Sequence, residues 1–125
     1  PLRPLPAPQI AQFGAALQDV SVRDACWLAM EAGRLPVSSL WIELARQLPS
    51  PYDAQPMFLH AWQAWRRGGG ALAAMAAERA LASDAGCTAA QLLLDSVAHG
   101  LDPRRTPRLR AGGKRRAPSV SGRAG

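Results

Sequence analysis

Long hydrophobic runs are missing from this 125-residue chain. No stretch approaches the roughly 18 apolar residues of a membrane span, and no basic start leads into an apolar segment, so neither a membrane helix nor a secretory leader is predicted. Cysteine is scarce. Cys26 and Cys87 have no CxxC partner and each sits in an alanine-rich helical pattern, which reads as two small buried residues in a reducing, cytoplasmic compartment; a disulfide between them is the alternative. Carboxylates stop at Asp102. The net charge of +6 therefore belongs to one end: residues 1–102 hold seven arginines against nine carboxylates, and residues 103–125 hold seven arginines, one lysine and no acid.

Catalytic and ligand signatures are equally thin. His60 has no nucleophile at a suggestive spacing, and reads as a solvated or interfacial histidine. Cys26, Cys87, His60 and His99 are zinc-compatible types whose separations match no zinc module. Gly68-Gly69-Gly70 follows a helix rather than a strand and is not closed by a lysine-serine or lysine-threonine pair, so it reads as a turn, not a phosphate loop. No catalytic, metal or cofactor residue is predicted, and the chain is not expected to be an enzyme by itself.

What is present is helix punctuated by proline and glycine. Pro1, Pro4, Pro6 and Pro8 predict a loose start over residues 1–8. A first helix follows with Ile10, Phe13 and Leu17 on one face, weakened by Gly14. Ser21-Val22-Arg23-Asp24 has the form of a capping box for a second helix, with Gly33 placed for a left-handed stop. After Pro36 comes the cleanest pattern, with Val37, Leu40, Trp41, Leu44, Ala45 and Leu48 at helical spacing until Pro49. Ser50-Pro51-Tyr52-Asp53 repeats the start signal, and Pro56 allows that start to slip to 54–57. His60 and Gln63, continued by Arg66 and Arg67, leave a narrow polar stripe, so this helix is expected to be packed around most of its circumference.

Beyond the glycines, residues 71–82 form a helix of almost pure alanine, expected to receive Trp62 and Trp65 on its shallow surface. Trp27, Trp41, Trp62 and Trp65 read as core rather than as a ligand cage. Gly86 caps the alanine helix, Thr88 with Gln91 opens a last one, and Leu92, Leu93, Leu94 and Val97 carry it to Gly100. The expected fold is all-α: five to six helices over 9–101 in stacked antiparallel hairpins, with 102–125 a disordered basic tail.

A shift of 35 residues superposes Trp27 on Trp62, Ala29 on Ala64, Gly33 on Gly68 and Ala45 on Ala80. That period suits stacked helical hairpins. The second unit, with Gly68, Ala73, Ala80-Leu81 and Asp84, resembles a tetratricopeptide repeat, implying a short solenoid. Over residues 20–103 the chain is similar to the C-terminal part of a mostly actinobacterial family, domain of unknown function 4192. The resemblance rests on Arg23-Asp24-Ala25, on Leu40-Trp41 with Glu43-Leu44-Ala45-Arg46 and Leu48-Pro49, and on Ala61-Trp62 with Ala64-Trp65. Gly68, Gly70-Ala71-Leu72-Ala73, Glu78-Arg79-Ala80-Leu81, Gly100-Leu101 and Pro103 complete it. It implies no activity, and it implies an N-terminal region not contained here; the leading proline points the same way.

Functionally, the hairpin period predicts a protein-interaction or scaffolding module. A partner protein or peptide is expected between successive first helices, meeting His60, Gln63, Arg66 and Arg67. The alternative is non-specific nucleic-acid binding by counterion release on Arg104, Arg105, Arg108, Arg110, Lys114, Arg115 and Arg116. No aromatic interleaves those arginines to stack on bases, which favours a solvated, disordered end over nucleic-acid binding.

Overall fold

The computed structural model describes residues 5–35 and 39–107. These residues form six helices and no strand: α1 (Ala7–Ala16), α2 (Val20–Glu31), α3 (Leu40–Gln47), α4 (Ala54–Arg66), α5 (Gly70–Ser83) and α6 (Thr88–Ala98). The all-α expectation holds for them, and the predicted restart at Pro36–Ser38 lies outside the described residues.

Helix α1 starts earlier than the prolines suggested, because Pro8 falls in its first turn, where a missing amide costs nothing. Ile10 and Leu17 are buried, and Phe13 meets the edge of Trp41 at 6.0 Å. Gly14 is there for contact: a Cβ at this position would lie 2.5 Å from a Leu48 methyl. The second helix also begins earlier, since Asp19, not Ser21, is its N-cap and accepts from the Ser21 amide at 2.9 Å. Helix α3 buries Trp41, Leu44 and Ala45.

Helix α4 takes the slipped start at Ala54, and it is the centre of the fold, packing against α3, α5 and α6. Its buried residues include Met57, Phe58, Leu59, Ala61, Ala64 and Trp65. The segment before it is a turn in which Ser50 donates to the Ser83 carbonyl and Ser83 binds Asp53, tying the start of α4 to the end of α5. Ala73, Ala76, Ala77 and Ala80 of α5 are buried and let the neighbouring backbone come close. Trp62, however, turns toward α2, where its ring meets Trp27 edge-on at 4.9 Å. At α6 the expected box does not form: Cys87 is the N-cap without a side-chain bond and Thr88 is already helical. Nor does Gly86 cap α5, whose C-cap is Asp84; the Gly86 amide donates to the Asp84 carboxylate.

Three glycines end α2, α4 and α6 in the same way. Gly33, Gly68 and Gly100 have φ of 73°, 88° and 68°, which an L side chain rarely adopts. At each, the glycine amide and the next one turn back onto the helix, for example Gly68 to the Trp65 carbonyl and Gly69 to that of Ala64.

The 35-residue shift is physical. Arg23 lies over the Phe58 ring at 5.6 Å, Trp27 meets Trp62, and Glu31 pairs with Arg66 at 2.7 Å, each contact joining positions 35 apart. A constant offset means that α2 and α4 run in the same direction, side by side, with aromatic side chains between them. The stretch after α6 is ordered further than expected: residues 102–107 form a turn held to α4, and the predicted disorder beyond residue 107 lies outside the described residues.

Candidate functional site

The polar stripe of α4 splits into two sides. On the α2 side, Arg66 uses all five of its N–H donors. Two bind Glu31, Nε to Oε2 at 3.1 Å and Nη2 to Oε1 at 2.7 Å. The other three bind backbone carbonyls of the chain's exit: Pro103 at 2.6 Å, Thr106 at 2.8 Å and Pro107 at 2.9 Å. The guanidinium also lies over Trp62 and Trp65 at 5.2 and 5.6 Å, and Trp62 donates its indole N–H to Glu31 at 2.8 Å. With side-chain exposures of 10 % for Arg66 and 2 % for Glu31, this is a buried ion pair with directed hydrogen bonds. Arg66 was expected on the partner surface. It is committed to the interior instead, and the channel expected between α2 and α4 is filled by Trp27, Phe58 and Trp62.

Arg23 repeats the theme at the other end of α2. Its guanidinium stacks over Trp27 and Phe58, binds Asp24 at 2.8 Å and reaches Gln55 at 3.1 Å. The core reading of the tryptophans agrees with these contacts.

His60, Gln63 and Arg67 lie on the other side of α4. With Ala64, Gly69 and Leu72 they line a shallow depression of about 190 Å³ at the seam with α5. His60 is half-buried; burial first, then the charges of Arg67 and Arg46, push its pKa below the ordinary imidazole value. Gln63 lines the same depression, and its Oε1 is buried without a hydrogen-bond partner. Arg67 is exposed and takes no part in the four ion pairs formed among the described residues. Beside it, Leu72 and Met75 are 52 % and 65 % exposed. These two escaped the sequence reading, although an i, i+3 pair of large apolar residues in an otherwise alanine helix was the signal for them.

Of the tail residues, Arg104 pairs with Asp102 at 3.4 Å and Arg105 is exposed, lining a wider depression with Leu101 and Thr106. Arg108, Arg110, Lys114, Arg115 and Arg116 lie outside the described residues. Cys26 and Cys87 are free, and burial raises the pKa of both thiols. Among the described residues, no three histidine, cysteine, aspartate or glutamate side chains converge as a metal site, and no helix is long and apolar enough to cross a membrane.

No curated protein matches the chain, and no solved structure does. The model of the family described as Domain of unknown function (DUF4192) matches residues 2–104, taking in all six helices and the start of the turn that Arg66 holds; the chain belongs to this family.

Proposed function

We propose that this chain is a helical protein-interaction module, and that its partner surface is the α4–α5 seam formed by His60, Gln63, Arg67, Leu72 and Met75. The observation that carries this reading is the contrast in saturation. Gln55, Trp62 and Arg66 of α4 are engaged internally, whereas here a guanidinium outside the ion pairs, a buried amide oxygen without a partner and the exposed Leu72 line one depression, with the exposed Met75 one turn further along α5. The in-register pairing of α2 with α4 supports a repeat-like stack, an architecture that serves binding by presenting rigid side-chain arrays. A binding role rather than a catalytic one is supported by the lining, which offers neither nucleophile nor carboxylate, and by thiols that burial keeps protonated.

Site-specific photo-crosslinking tests this. A photoreactive residue at Leu72 should capture a discrete partner from cell extract, and the same residue at Leu92, which is 67 % exposed on α6, should not. Equal capture from both positions would remove the assignment. Binding of a DNA duplex that needs residues 108–125 and collapses as salt rises would instead favour the basic tail as the working part.

A further inference from the structure

Resting on the reading of the chain as an interaction module, we propose that the α4–α5 seam takes an acidic amphipathic helix of a partner protein. One carboxylate of that helix pairs with Arg67, and apolar side chains a turn away cover Leu72 and Met75.

Charge selects the occupant. Arg67 and His60 line the depression with no carboxylate among their neighbours there, and Arg46, whose charge also reaches His60, is already bound to Glu43 at 3.0 Å. A carboxylate placed at this corner therefore meets an uncompensated cation. The chain's own C-terminal residues cannot serve, because residues 108–125 carry five arginines and one lysine and no acid. A second copy docking by the same patch in two-fold fashion brings the like-charged corners together. A nucleic-acid strand matches Arg67 but leaves Leu72 and Met75 in water.

Shape selects a helix. Leu72 and Met75 sit at i, i+3 on α5, and their neighbours Ala71 and Ala74 are small, so the surface between the two ridges is low. An amphipathic helix presents apolar anchors at i, i+3 and i+4 with polar residues one step round, which matches an apolar ridge bordered by a guanidinium. A peptide lying there also brings hydrogen-bond donors toward Gln63, whose amide oxygen has no internal partner.

A library of helical 15-residue peptides displayed on phage and selected against the full chain tests the proposal. The selected peptides should share an aspartate or glutamate one turn from a leucine, methionine or phenylalanine. Arg67→Glu should weaken them by at least about tenfold, and exchanging the peptide's acid for lysine should restore binding to that variant. Binding should raise the His60 pKa, read from its ring proton shifts, because a carboxylate then offsets Arg67. Because Arg67 is exposed and makes no side-chain contact with a carboxylate, the variant should melt like the parent. Selected peptides that bind Arg67→Glu as well as the parent, or that leave His60 unshifted, would overturn the acidic-helix proposal while leaving an interaction module in place. If a folded chain selects no peptide at all, the interaction reading falls with it.

Discussion

Arg66 and Arg67 adjoin in the sequence, yet on the α2 side of α4 one guanidinium is enclosed by a carboxylate, three carbonyls and two indoles, while on the α5 side the other meets open solvent beside Leu72. One step along a helix turns a side chain by about 100°, which is enough to exchange one neighbouring helix for another. The difference lies in what those helices offer. Helix α2 presents Glu31 and Trp27; the start of α5 presents glycine and alanine, which neither pair with a cation nor cover it. Saturated interior and open surface are thus two sides of the same helix.

The strongest way to break this contrast is Arg66→Met. Removing one member of a buried ion pair costs about 3–5 kcal/mol, because Glu31 loses the two charge-assisted hydrogen bonds from Arg66 at a place where water does not replace them. Urea denaturation should show a loss of that size, and hydrogen exchange should show residues 103–107 released, since three of their carbonyls lose a donor. Combining it with Glu31→Leu should recover part of the loss, as both charges are then gone. A single variant as stable as the parent would mean that the pair is not buried.

Much of the scaffold is legible in the sequence. Gly33 reads as a left-handed helix stop, Gly68 as a turn and Gly100 as the end of the last helix, and all three enter the left-handed region that glycine adopts without strain. The 35-residue shift was visible in Trp27 and Trp62, which touch. The pairing of Glu31 with Arg66 across the same shift was hidden, because unlike residues leave no self-similarity. Caps were misread where two polar residues competed: Asp19 and Ser21 lie two apart, and the chain's approach decides which oxygen reaches the free amides. Which arginine of the pair faces inward depends on α2 and on the turn at 103–107, far off in sequence.

Gly68→Ala probes the hinge between the two sides. Nothing lies within 4 Å of the added methyl, so the effect is purely one of backbone conformation at φ 88°, costing about 1–2 kcal/mol. Thermal denaturation should register a loss of that order, smaller than for Arg66→Met. Arg67→Ala should then change stability by no more than about 0.5 kcal/mol, as for an exposed residue without specific contacts. A loss comparable to that of Arg66→Met would erase the distinction between the two arginines.

The smallest effect concerns pH. The folded-state pKa of His60 is lowered, first by burial and then by Arg67 and Arg46, so the unfolded chain, with an imidazole near its ordinary value of about 6.5, takes up a proton before the folded one does. Stability held at neutral pH is therefore lost as pH falls from that ordinary value toward the lower folded one, and levels off beneath it. His60→Gln should flatten this decline. Arg67→Ala should raise the His60 pKa and narrow the window from below, because one of the two like charges facing the ring is gone while Arg46, paired with Glu43, remains. A His60 titration indifferent to Arg67→Ala would place the guanidinium away from the depression, and with it would go the argument that the α5 side of α4 is a charged surface awaiting a carboxylate.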